Sequence, residues 1–151
     1  MRAVTIHQPW ASLVAVGIKT VETRSRRVTH RGPLLIHAGQ RMWDAATYQQ
    51  ILTELDRSDH PPPGGSWAVW LSTLELGVVV AIADLSGVLP ADRALRDRPD
   101  QAPWGWFGRG RHGWMLDDVR PVAPPVPARG RQGLWIPDDQ LIARLGVSAD
   151  G

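Results

Sequence analysis

Cysteine is absent from this 151-residue chain. That excludes a disulfide framework, a thiolate metal site and a thiol nucleophile. The five histidines (His7, His30, His37, His60 and His112) are scattered without an i, i+4 pair, so no zinc site is expected and no metal or other cofactor is assigned. No apolar stretch approaches the roughly 18 residues that cross a bilayer. The first apolar run is broken by His7, Gln8 and Pro9, unlike the core of a secretion signal, so a cytoplasmic protein with no membrane partner is expected. Lysine is nearly absent as well: Lys19 stands alone against sixteen arginines. Frequent Ala, Gly, Pro, Arg and Asp speak of codon pressure, and a lone lysine that survives it is a candidate for a specific task.

What is present is enough for one core. With 43% hydrophobic residues the chain is expected to form a single domain over 1–151, interrupted by a proline-rich loop around 57–66. Net charge is only +2, but its placement is uneven. Lys19, Arg24, Arg26, Arg27 and Arg31 face a single acid, Glu22, within thirteen residues. Such a run is either a solvated face or a contact for a polyanion.

Alternation over Arg2 to Ile6 predicts an opening strand, and Pro9 and Gly17 bracket a short helix from Trp10 to Val16. Thr20 to Arg24 and Pro33 to Ala38 read as strands on either side of the basic loop. Helical spacing of Ala45, Tyr48, Ile51, Leu52 and Leu55 behind an Asp44 cap predicts a helix from Asp44 to Leu55. The segment from Asp59 to Ser66, with three prolines and two glycines, is expected to be irregular. Gly77 to Val88 is apolar on both faces, as a central strand would be. His112 to Pro121 and Pro124 to Arg129 are read as two further strands, the second a proline-marked edge, and Pro137 or Asp138 to Leu145 as a final helix stopped by Gly146. Several strands with short helices and no regular strand–helix alternation predict an α+β protein, a small mixed β-barrel flanked by short helices.

Eight tryptophans accompany one tyrosine and one phenylalanine. Most are expected in the core, where indole fills space best. Trp104, Trp106 and Phe107 instead sit among glycines ahead of Arg109 and Arg111, either tucked onto the barrel or exposed as a stacking platform for bases. In Gly17-Ile18-Lys19-Thr20-Val21-Glu22-Thr23-Arg24, strand parity puts Glu22 and Arg24 on one face and Lys19 on the other. All three converge only if Lys19 lies on a turn or bulge before the strand, which is the expectation. Glu22 would then hold Arg24 toward a phosphate or base edge, act as a general base beside Lys19, or form a plain ion pair.

His7-Gln8-Pro9-Trp10-Ala11, Gly17-Ile18-Lys19-x-x-Glu22-x-Arg24 and Arg31-Gly32-Pro33-Leu34-Leu35-Ile36-His37-Ala38, in this order and spacing, resemble the signature of the ASCH family. Gly77 to Leu85, His112-Gly113-Trp114 and Gly130-x-x-Gly133-Leu134-Trp135 extend the resemblance over most of the chain. It implies a PUA-like β-barrel with a cleft between barrel and first helix, and a binder of RNA or DNA. By the resemblance Gln8, Pro9, Trp10, Lys19, Glu22, Arg24 and His37 would line the cleft, with Trp114 nearby. Some relatives hydrolyse the amide of acetylated cytidine with a lysine and a threonine three residues on, and a ribonuclease activity is attributed to ASCH proteins. In this chain Glu22 occupies that third position, and a carboxylate offers no hydroxyl nucleophile.

Two readings stand. In the first the chain binds nucleic acid, with single-stranded RNA the expected partner: Arg24, Arg26, Arg27 and Arg31 meet phosphates, while Trp10, Trp104 or Trp106 stacks a base. In the second it is a metal-independent hydrolase of RNA or a modified nucleoside, with Lys19 and Glu22 catalytic and His37 a proton shuttle. A scaffold that meets another protein through its tryptophans is a third alternative, and oligomeric state is not legible.

Overall fold

The computed structural model describes residues 1–148. Strand β1 (Arg2–Ile6) leads into helix α1 (Trp10–Ala15), then β2 (Val21–Arg24), β3 (Gly32–Ala38) and helix α2 (Ala45–Arg57). A 3₁₀ turn (Pro63–Gly65) and α3 (Trp67–Ser72) precede β4 (Val78–Pro90), α4 (Ala91–Asp97) and a second 3₁₀ segment (Pro99–Trp104). The chain continues through β5 (His112–Pro127), β6 (Leu134–Trp135) and α5 (Asp139–Leu145).

The strands form one sheet in the order β2-β5-β4-β3-β1-β6, antiparallel except for the β1–β3 pair. Arg24 on β2 nevertheless donates from Nη2 to the Thr5 carbonyl on β1 at 2.6 Å, across three intervening strands of that order. The sheet therefore curls into a half-barrel, and the α+β architecture flanked by short helices is the one the sequence predicts. Period-2 alternation divides its side chains: Val4, Leu34, Ile36, Leu85, Trp114 and Leu116 pack under α1, while Ala3, Leu35, Val79, Ile82 and Trp135 pack against Leu141 and Ile142 of α5. A third cluster joins Leu13 of α1 to Ile51, Leu55, Trp67, Leu71 and Trp104. No helix among the described residues is long and apolar enough to cross a membrane.

Local chemistry explains the helix limits. Asp44 accepts from the Thr47 amide at 2.7 Å and Asp138 from the Leu141 amide at 2.8 Å, each satisfying a donor that helix geometry leaves free. Gly146, at φ 65°, closes α5 in the left-handed region that glycine enters without penalty.

The two strands expected between His112 and Arg129 are one, β5, paired with β4 as far as Val78 opposite Pro127. Its prolines are tolerated because β2 covers only His112 to Met115; beyond that, one side of β5 has no strand partner among the described residues and needs no amide donor. The proline-rich segment is shorter than expected, since α2 runs through Arg57 and a 3₁₀ turn occupies Pro63–Gly65. Helices α3 and α4, at six and seven residues, are too short to show helical periodicity, and β6 is only two residues long.

Candidate nucleic-acid interface

The turn after α1 sets the direction of Lys19. Gly17 takes φ 79°, and the amides of Ile18 and Lys19 both donate to the Leu13 carbonyl, at 3.0 and 3.1 Å. Gln101, fully buried in the second 3₁₀ segment, pins the residues on either side of Lys19: its Oε1 accepts from the amides of Thr20 (2.7 Å) and Val21 (3.3 Å), and its Nε2 donates to the Ile18 carbonyl at 3.0 Å. Lys19 is thereby held outside β2 and turned inward, where it is 2% exposed.

Its ammonium donates to the carbonyls of Val21 (2.8 Å) and Trp104 (2.6 Å) and lies 3.3 Å from Glu22 Oε2. Burial pushes the lysine below its ordinary pKa, and the Glu22 carboxylate opposes that shift. Three acceptors around one nitrogen match the three hydrogens of the charged form. The other Glu22 oxygen receives Arg24 Nε at 2.9 Å, so one buried carboxylate joins two cations. Arg24 also lies over the Trp114 ring, 5.7 Å from its centroid. The Trp114 indole donates to the Arg26 carbonyl at 3.2 Å and so ties down the basic loop.

Around this cluster opens a cleft of about 430 Å³, lined by Trp10, Lys19, Glu22, Arg24, Trp106 and Arg111 among others. Trp106 is 69% exposed at its rim. Its position is set by backbone and charge: its amide donates to Thr23 Oγ1 at 3.0 Å, and Arg111 donates to the carbonyls of Trp106 and Thr23 while its guanidinium covers the indole at 4.5 Å. Trp104, expected beside it as a second stacking surface, has its indole in the core (4% exposed) and presents its carbonyl to Lys19.

A larger cleft of about 1090 Å³ adjoins the first and shares Thr5, His7 and Arg24 with it. Arg24, Arg26, Arg27, Arg129 and Arg131 line it together with Trp114 and His37, and no carboxylate among the described residues does. His37, 1% exposed, donates from Nε2 to the Ala128 carbonyl at 2.8 Å, and its Nδ1 lies 3.2 Å from Thr5 Oγ1, which receives Trp135 Nε1 at 3.3 Å. Burial lowers the pKa of His37, against the Ala128 carbonyl that favours the charged ring, and in the neutral form with Nε2 protonated Nδ1 is free to accept from the Thr5 hydroxyl. Gly130 presses on this ring: a Cβ there would lie 2.5 Å from His37 Cε1.

Not every expected residue faces a cleft. Gln8 is fully buried, with its amide committed to Ser12 Oγ (2.7 Å), the Glu75 carbonyl (2.9 Å) and the Ser12 amide (3.0 Å), and Pro9 is buried beside it. Both support α1 from beneath and line neither cleft. Arg31 also lies outside both, donating to the carbonyls of Val28 and His30. Sequence reasoning overlooked His7, Gln101, Arg129 and Arg131 as site residues. The Arg129-Gly130-Arg131 alternation was the signal for the last two, whereas nothing local announces Gln101.

Comparison with known proteins places the chain by family and fold. Human activating signal cointegrator 1 is 51% identical over 43 residues, a match that spans 28% of this chain and 6% of that protein. The crystal structure of ASCH from Zymomonas mobilis superposes with a TM-score of 0.56 at 14% identity, covering 96% of this chain and 92% of that one. A variant of that protein with tyrosine changed to phenylalanine gives 0.54 at 13% identity, covering 96% of this chain and 95% of its own. Residues 4–95, more than half of the sequence, match the ASCH domain, and the chain belongs to that family.

Proposed function

We propose that this ASCH domain, of a PUA-like fold associated with RNA binding, binds single-stranded nucleic acid, RNA in the first instance, and holds one nucleotide in the smaller cleft. The observation that carries the reading is the Lys19–Glu22–Arg24 cluster beneath an exposed Trp106. Two cations, Lys19 buried and Arg24 partly exposed, share one carboxylate, so the cluster keeps an excess positive charge. Arg24 uses Nε and one Nη2 hydrogen within the protein, and its Nη1 has no partner among the described residues. That leaves a fixed donor for a phosphate or a base edge. Trp106 offers a base a π-face, and Trp10 lines the same cleft. A volume of about 430 Å³ admits a nucleoside but not a duplex.

The alternative, hydrolysis of a modified nucleoside or of RNA by Lys19 and Glu22, draws on the burial of a lysine beside a carboxylate. Against it, the Lys19 ammonium already donates to three acceptors, and Glu22 is shared with Arg24. Tryptophan-quenching titrations with short single-stranded RNA and DNA, and with nucleosides including acetylated cytidine, separate the readings when each mixture is also assayed for product. Binding without product supports the module. Turnover that Lys19→Ala abolishes establishes the hydrolase, and silence in every arm removes both.

A further inference from the structure

Among the described residues five arginines and no carboxylate line the larger cleft, and four of the arginines (Arg26, Arg27, Arg129 and Arg131) have side chains with no hydrogen-bond or ion-pair partner there. Like charges are costly to gather in a concave surface unless an anion joins them. The structure nonetheless holds the two arginine loops in place from below: Trp114 donates to the Arg26 carbonyl, and buried His37 donates to the Ala128 carbonyl with Gly130 packed on its ring. Arginines on anchored backbone are pre-ordered for consecutive anions.

We infer that the cleft between loops 24–28 and 129–134 is a second, phosphate-binding site, which takes the backbone of the strand whose nucleotide occupies the smaller cleft. This rests on the nucleotide reading above and adds the ligand's extent. Arg24 lines both clefts, so a phosphate there joins the two parts. A nucleotide's own polyphosphate tail carries the same chemistry. The cleft, however, has more than twice the volume of its neighbour, and its wall includes Val28, Gln40, Trp114, Gln132 and Leu134, surfaces suited to sugars and bases as well as phosphates. A strand uses all of these.

The test is a titration of the whole chain with a nucleoside monophosphate, the corresponding triphosphate, and single strands of two, four and six nucleotides of RNA and DNA. It is repeated over a salt series and with the double variant Arg129→Ala/Arg131→Ala. Neither side chain has a partner among the described residues, so folding should be kept, which circular dichroism and thermal unfolding check. A second pair, Arg57→Ala/Arg93→Ala, removes equal charge outside both clefts. Affinity is expected to rise at least about tenfold from monophosphate to tetranucleotide at low salt, and the double variant to make the log–log salt slope for the strand shallower by about 1.4, as loss of two single-strand phosphate contacts requires. The monophosphate should bind the double variant as it binds wild type, and the control pair should keep the wild-type slope. A triphosphate that matches the tetranucleotide, or strand binding indifferent to Arg129 and Arg131, overturns the inference while leaving the nucleotide pocket intact. Failure of the monophosphate together with every strand removes both.

Discussion

The ammonium of Lys19 donates to the main-chain carbonyl of Trp104 at 2.6 Å, across 85 residues of sequence. This bond ties the turn after α1 to the start of the loop that displays Trp106. The lone lysine is thus an anchor of the aromatic loop, whatever else it touches. His37 does the same for the arginine loop through the Ala128 carbonyl, so two residues of the signature each hold a loop at the edge of a cleft.

Lys19→Ala should destabilise the fold by about 2–3 kcal/mol, less than the ~3–5 kcal/mol of a buried pair whose remaining charge is left alone, because Arg24 still holds Glu22. Urea unfolding followed by tryptophan fluorescence measures it. Loss of the Trp104 anchor should also shift the emission of the native state.

Trp106→Ala removes an exposed ring and should change stability by less than about 0.5 kcal/mol. Its effect belongs to binding: loss of one stacked base weakens single-strand affinity by about 1–3 kcal/mol. Calorimetric unfolding and equilibrium titration of the same preparation separate the two quantities.

Acid should loosen the His37 anchor. Burial holds its folded pKa below the unfolded value of about 6.5, so between the two the unfolded chain binds the extra proton and stability rises with pH. The contribution is complete above the unfolded pKa and is lost as pH falls toward the folded one, with a slope of at most about 1.4 kcal/mol per pH unit. Chemical denaturation at successive pH values should show this slope in wild type, and His37→Gln should lack it.

Gly130→Ala places a Cβ 2.6 Å from both His37 Nδ1 and Thr5 Oγ1, closer than a Cβ can approach, so something must shift. Relaxation must push the loop outward, at about 1–3 kcal/mol. Thermal unfolding should register the loss, and strand binding should fall further than Trp106→Ala alone would cause.

Much of this architecture could be read along the chain. Alternation marked β1 and a compact apolar run marked β3, Asp44 and Asp138 announced their helices, and the parity of Glu22 and Arg24 meant that Lys19 could join them only from outside the strand, as it does. What could not be read was tertiary. Gln101 reaches the Lys19 turn from 80 residues away, and no local pattern marks it. Gln8 was expected in the cleft on the strength of the resemblance, yet its amide is consumed by Ser12 and the Glu75 carbonyl. Trp104 and Trp106 are two residues apart with opposite fates, one in the core and one in solvent, because Lys19 fixes the backbone between them and the barrel.

The most direct test of the account is a photo-crosslink. A short single-stranded RNA carrying one thiouridine is irradiated with the protein and the adducts are mapped by mass spectrometry. The expected adducts fall on peptides that contain Trp10 or Trp106, and excess unlabelled RNA should suppress them. Adducts confined to α4 or α5, with the smaller cleft untouched, would contradict the account.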